Sequence, residues 1–204
     1  MFKASEKYPF RLYFSDFDNN GQTETITAFE KKGTYYTLES LDALATQMVS
    51  LRKKFNSYSS FAGKSVNEIF TSEQLEKAQL LEANTLASGY LKNDGSTFEF
   101  VPFPNELQTA PIMAFTSVDT NNDGKREVLA GGNYFGVKPY HGRFDSFPGA
   151  LILSENEIIL GTRLGLDFTQ KSLRHLDTVT LHGMQYLLAV YNDNKLEVYK
   201  INSK

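Results

Sequence analysis

The stretches DFDNNGQTE (residues 16–24) and DTNNDGKRE (residues 119–127) determine the fold that this sequence predicts. Each stretch lies between two apolar runs: RLYFS and TITAF flank the first, and IMAFTSV and VLAGG flank the second. Two apolar runs joined by a short polar loop are typical of a β-hairpin. The sequence therefore predicts two hairpins with closely similar connecting loops.

Oxygen-bearing side chains occupy alternate positions in both loops, and a glycine, Gly21 or Gly124, follows the third of them. Ca²⁺ takes six to eight oxygen ligands at about 2.3–2.6 Å, so the chain must curl around the ion, and glycine permits the sharp turn. The backbone carbonyls of the seventh loop residues, Gln22 and Lys125, would complete each shell. The sequence predicts one or two Ca²⁺ sites, with the side-chain ligands Asp16, Asp18, Asn20 and Glu24 in the first loop and Asp119, Asn121, Asp123 and Glu127 in the second.

This interpretation has two alternatives. An EF-hand has a similar opening, but it needs an acidic residue at position twelve, where this chain has Thr27 and Ala130, and it needs helical flanks. A metal-free turn remains open, because Asp, Asn and Gly all favour turns. The recurrence of the same register in both loops favours metal binding.

A helical periodicity separates the two loops and covers residues 38–80. Apolar residues from Leu38 to Phe55 recur at steps of three and four, which predicts one helix packed on the core with Ser40 as its N-cap. Two capping boxes, Ser65 with Glu68 and Thr71 with Gln74, predict two shorter helices.

The fold class predicted is all-β, a partial β-propeller of about three blade-like repeats with an inserted helical segment. Without residues 38–80 the two loops are 60 residues apart, and a similar step leads to a third hairpin, LRHLDTVTLHGMQYLLAVYN (173–192). Further strands are predicted in NTLASGYL, STFEFVPF, GALILS, NEIIL and KLEVYKI. We expect one domain over residues 1–204 with the helical insertion at 38–80. A β-sandwich with one helical excursion is the alternative.

The two loops, with EVLAGGN (127–133) and PGALIL (148–153) after the second, resemble the FG-GAP (VCBS) repeats of integrin-α-like β-propellers. The chain as a whole is similar to the C-terminal region of secreted bacterial VCBS-repeat proteins. Glu24 and Glu127 stand where that family usually has Asp, and the third hairpin has no ligands. The resemblance implies a calcium-stabilised, non-catalytic binding or scaffold module for a protein or carbohydrate, in the periplasm, at the cell surface or secreted. It also implies a longer parent protein that supplies the remaining blades.

Composition excludes several classes of partner. With 21 Lys and Arg against 24 Asp and Glu, the net charge of −3 argues against nucleic-acid binding. No apolar run is long enough to insert into a membrane, and the start, MFKASEKYPF, lacks a signal peptide. Open sheet edges predict self-association or contact with the remaining blades.

A second candidate site lies in the segment NYFGVKPYHGRFD (133–145). Aromatic rings beside an arginine and a carboxylate can bind a sugar or a protein, although an ordered loop with local pairing is the simpler interpretation. The candidate ligand-binding residues are Tyr134, Tyr140, His141, Arg143 and Asp145. We predict no catalytic residues; the alternative function is an ancillary or catalytic domain of a carbohydrate-active or other hydrolytic enzyme.

Overall fold

The computed structural model describes residues 2–121, 123–138, 142–155 and 157–201. Strands make up 42% and helices 17%, and none of the four antiparallel sheets in these residues closes on itself. The all-β prediction is therefore confirmed at the level of fold class. Among the described residues, every helix is too short or too polar to cross a membrane.

The chain divides into two compact units, Met1–Leu86 and Ala87–Lys204. Each predicted calcium loop falls in a different unit. The expectation that residues 1–204 form a single domain stays a prediction.

The first unit contains one four-stranded antiparallel sheet in the order β3-β2-β1-β4. Its strands are β1 (Phe10–Ser15), β2 (Glu24–Lys31), β3 (Thr34–Thr37) and β4 (Gln79–Ala83). The first loop connects β1 to β2, and the helical segment connects β3 to β4. Sheet and helices share a core that includes Ile26, Ala28, Leu44 and Val66.

The helical segment contains five short helices rather than three. They are α1 (Leu41–Gln47), α2 (Ser50–Lys54), α3 (Tyr58–Phe61), α4 (Val66–Ile69) and α5 (Ser72–Lys77), and the last two predicted insertion residues belong to β4. The prediction of one helix from Leu38 to Phe55 is wrong, because Met48 has an extended backbone (φ −126°, ψ 91°) that ends α1. The predicted core face is correct, since Leu41, Leu44, Met48, Leu51 and Phe55 are all buried.

The described residues of the second unit form three antiparallel sheets: β10-β9-β8-β7, β11-β12-β13 and the hairpin β5-β6. The strands are β5 (Gly89–Asn93), β6 (Phe98–Pro102), β7 (Ile112–Val118), β8 (Glu127–Gly132), β9 (Ala150–Ser154), β10 (Glu157–Leu160), β11 (Ser172–Leu181), β12 (Met184–Asn192) and β13 (Glu197–Lys200). Short 3-10 helices lie at Asn105–Leu107 and Gly161–Leu164.

Both faces of the β7–β10 sheet contribute to a core. One face, with Leu129 and Leu151, packs with Leu173 and Leu187 of the β11–β13 sheet. The other face, with Ala150, joins Leu107 and Phe147 in a smaller core.

The third predicted hairpin is β11–β12, where His182 and Gly183 both have positive φ (50° and 75°), as a two-residue type I′ turn requires.

Candidate metal centre

The two acidic loops occupy equivalent positions in their hairpins. Asp16 directly follows β1 and Asp119 directly follows β7, while Glu24 and Glu127 are the first residues of β2 and β8. The closing residue pairs also match, since Ser15 pairs with Glu24 and Val118 with Glu127. Strands bracket both loops, which excludes the helical frame of an EF-hand.

Three carboxylates of the first loop come together. One oxygen from each of Asp16, Asp18 and Glu24 lies within 4.8 Å of the other two. Two oxygens that share one ion at about 2.4 Å can be at most about 4.8 Å apart, so the cluster has the size that Ca²⁺ requires. The predicted ligands are therefore gathered where a hard cation could bind.

The electrostatics of the first loop favour a cation. Glu24 is only 2% exposed, and its Oε2 accepts a hydrogen bond from the Phe17 N–H at 2.8 Å. Burial raises the pKa of Glu24; the Phe17 hydrogen bond opposes this rise, and the neighbouring charges of Asp18 and Asp16 add to it. Oδ1 of Asp18 is buried and has no hydrogen-bond partner among the described residues. Because buried polar oxygens normally have a partner, this oxygen fits a metal ligand.

The second loop repeats the hydrogen bonds of the first. Gly21 N–H donates to Asp16 Oδ2 at 2.9 Å, and Gly124 N–H donates to Asp119 Oδ2 at 3.0 Å. Likewise Glu127 Oε2 accepts from the Thr120 N–H at 2.9 Å, as Glu24 does from Phe17. The sequence repeat therefore corresponds to a repeat of loop conformation.

The fifth loop position is used in the same way in both copies. Asn20 Oδ1 accepts from the Gln22 N–H, and Asp123 Oδ1 accepts from the Lys125 N–H, each at 2.7 Å. The Lys125 hydrogen bond, with a second from the Asn121 amide, lowers the pKa of Asp123. Each of these side chains thus keeps one loop turn closed. The Gln22 and Lys125 carbonyls stay predicted ligands.

The second loop gathers fewer carboxylates than the first. Asn121 stands where the first loop has Asp18, and Asp119, Asp123 and Glu127 do not form a compact acidic triad in the described part of the chain. Oδ1 of Asp119 is nevertheless buried without a hydrogen-bond partner among the described residues, like Oδ1 of Asp18. The second loop therefore offers the same number of carboxylates, three, but among the described residues it lacks the compact grouping of the first loop.

Two supporting residues of the first loop were missed from the sequence. Phe17 is 1% exposed and its ring lies 5.0 Å from that of Phe70, while Gln74 Nε2 donates to the Phe17 carbonyl at 2.7 Å. A phenylalanine between two loop aspartates was a signal for such an anchor. The partner on α5 could not be seen, because the contact spans 57 residues.

The described residues of the aromatic segment 133–145 make local contacts, and the predicted ligand site stays a prediction. The backbones of Tyr134 and Phe144 pair, and the Tyr134 ring lies under Arg174 at 5.4 Å. Arg143 lies over the Phe135 ring at 4.9 Å, and the Asp145 carbonyl accepts from Gln170. Tyr140 and His141 lie outside the described residues. These contacts fit the simpler interpretation, an ordered loop.

An apolar cleft of about 650 Å³ in the second unit was not predicted from the sequence. It lies against the β7–β10 sheet, on the face away from the β11–β13 sheet, and the Tyr90 side chain forms part of its wall. A strand that is apolar on both faces has the same sequence pattern whether one face lines a cleft or packs in a core. The cleft could therefore not be predicted from periodicity.

Comparison with protein-family models finds no matching family, and comparisons with curated proteins and with solved structures find no match.

Proposed function

We propose that this chain is a calcium-stabilised, non-catalytic binding module with one or two Ca²⁺ sites in its paired hairpin loops. As part of the same proposal, the chain is an FG-GAP-like module with a propeller-like arrangement and a location outside the cytoplasm. The equivalent loop conformations around residues 16–24 and 119–127 support it.

The observation that carries the proposal is the acidic triad of the first loop together with the unpartnered Oδ1 of Asp18. Three carboxylates so close repel one another, and a buried carboxylate oxygen without a partner is costly. A divalent cation removes both penalties. The ion would be held by Asp16, Asp18 and Glu24, and would supply charge neutralisation and a cross-link between the ends of β1 and β2.

The test is thermal unfolding of the full chain with and without calcium. Extracellular calcium sites bind at about 10⁻⁴ to 10⁻³ M, so an ion at ten to a hundred times its dissociation constant stabilises by about 1.4 to 2.7 kcal/mol. We expect millimolar CaCl₂ to raise Tm by several degrees and a chelator to reverse the rise.

Asp18→Asn keeps the size of the side chain but removes one charge, and we expect it to lose half or more of the calcium response. The matched control is Glu76→Gln, an exposed residue on α5 outside both loops, which should keep the full response. In the second loop, Asp119→Ala should remove a further part of the calcium response. An unchanged Tm across the calcium range would refute the proposal.

A further inference from the structure

The apolar cleft is bounded by the β5–β6 hairpin region on one side and by all four strands of the β7–β10 sheet on the other. Tyr90 and Phe103 face it with rings 5.7 Å apart, and each strand of the sheet contributes apolar side chains, among them Phe115, Val128, Ile152 and Ile158. Phe115 is 73% exposed and Val128 38%, although both belong to interior stretches of strands. Such a concave, aromatic-lined surface has the size and character of a small-molecule site.

A second cavity of about 640 Å³ continues from the apolar cleft. The two share Tyr90, Glu155 and Ile158 as lining residues, so they are contiguous. The second cavity adds the charged residues Glu106 and Arg163. A molecule that filled both would have an apolar part at one end and a polar part at the other.

The positive and negative charges around the second cavity are equal in number. Glu155 forms an ion pair with Lys92, whose Nζ lies 2.9 Å from Oε1. Glu106 and Arg163 form no ion pair with one another or with any other residue in the described part of the chain. Two carboxylates and two cations leave no net charge for an ionic group to neutralise, so an ionic group would lose hydration without a compensating partner. Hydroxyl groups, in contrast, can donate to a carboxylate and accept from a guanidinium.

We infer that these contiguous cavities bind a neutral amphiphile, with an aliphatic tail in the apolar cleft and a hydroxyl-bearing head between Glu106, Glu155 and Arg163. This inference rests on the proposed binding function and deepens it, since it names the surface and the class of ligand. The ligand would be of the alkyl glycoside type.

The experiment compares three probes of equal tail length on the full chain: octyl glucoside, octanoate and octylammonium, each below its critical micelle concentration. Binding is followed by calorimetry and by chemical-shift changes at the cleft residues. We expect saturable binding of the glucoside, at least about fivefold tighter than either ionic probe. Equal or tighter binding of an ionic probe, or no saturable glucoside binding, would overturn the inference.

Two variants locate the site. Phe115→Ala removes an exposed ring without opening a core, and should weaken the binding of all three probes. Arg163→Gln should weaken the binding of the glucoside while leaving the contacts of its tail intact. Leu181→Ala is the control, because Leu181 is an exposed strand residue of the same unit (53%) outside the cleft. If Leu181→Ala weakens binding as much as Phe115→Ala does, the probes are adsorbing non-specifically and the inference fails.

To test the two proposals independently, the probe-binding measurement is repeated with chelator, and Tm is recorded with and without calcium in parallel. A calcium-dependent Tm without glucoside binding refutes this inference alone. Glucoside binding without a calcium response refutes the calcium proposal and leaves the cleft assignment in place.

Discussion

At the residue scale, Asn133 is a buried polar residue that ties three segments together. It follows β8 with φ 80° and is fully buried. Its Nδ2 lies 3.0 Å from the carbonyl oxygen of Phe147, 2.7 Å from that of Phe168 and 3.2 Å from that of Lys171, while its Oδ1 accepts from the Phe147 N–H. A positive φ and an amide with both donor and acceptor explain why asparagine stands here.

Asn133→Asp tests this role. The carboxylate keeps the acceptor for Phe147 N–H, but its second oxygen would face carbonyl oxygens, so we expect a loss of about 3 kcal/mol or more in unfolding free energy. Urea unfolding measures the change. The control is Asn67→Asp, an exposed change on α4. A loss below about 1 kcal/mol at Asn133 would contradict the assigned role.

A second residue-scale feature is Glu197 on β13. Its carboxylate accepts from Lys171 Nζ at 2.7 Å and from the Tyr191 and Tyr199 hydroxyls at 2.5 Å each. Burial by itself would raise the pKa of Glu197, but these hydrogen bonds outweigh it and lower the pKa. Burial and Glu197 in turn raise the pKa of Tyr199 to about 12.

The pH dependence follows from this lowered pKa. Since the folded-state pKa lies below the unfolded value, Glu197 contributes stability that is present above about pH 4.5 and is lost as the pH falls through the folded-state pKa. Glu197→Gln should therefore be less stable than the wild type at pH 7, and the difference should shrink below about pH 4. Denaturation series from pH 3 to 7 measure it. A difference that is constant over this range would contradict the assignment.

At the element scale, most strands could be predicted because their signals are local. The three hairpins follow from apolar runs around polar turns, and the capping boxes at Ser65 and Thr71 begin α4 and α5 as expected. The break between α1 and α2 could not be predicted, because the apolar spacing from Leu38 to Phe55 is compatible with an unbroken helix. The extended Met48 is fixed by its tertiary position, where its side chain is 1% exposed in the core.

Helix α5 also supports the first loop. Gln74 accepts from the Thr71 N–H at 2.8 Å through Oε1 and donates to the Phe17 carbonyl through Nε2, so one side chain caps the helix and holds the loop. Gln74→Ala should lower the unfolding free energy by about 1–2 kcal/mol and weaken the calcium response of the first loop. Glu76→Ala, on the same helix, should change neither quantity. Equal effects of the two variants would show that Gln74 has no special role.

At the scale of the whole molecule, the sequence predicted the class of fold and the equivalence of the two loops, but it did not predict the division at residues 86 and 87. That boundary has no Pro- or Gly-rich linker to mark it, since the chain there reads EANTLASGY. The number and arrangement of separate cores depend on which distant strands share a core, as β8 (Leu129) and β12 (Leu187) do, and no local periodicity encodes this. The candidate ligands, in contrast, were predictable because they lie within nine consecutive residues.

The two units should respond to calcium in a fixed order. The first loop gathers its three carboxylates within 4.8 Å, whereas Asp119, Asp123 and Glu127 of the second loop form no such triad in the described residues, and affinity for Ca²⁺ rises with the number of charged ligands that reach the ion. In hydrogen exchange on the full chain, protection of residues 16–24 should therefore appear at lower calcium than protection of residues 119–127. Asn121→Asp should bring the two responses closer together, and Asp18→Asn should reverse their order. Simultaneous protection of both loops in the wild type, unchanged by either variant, would mean that ligand charge does not set the affinities and that the two units respond to calcium as one body.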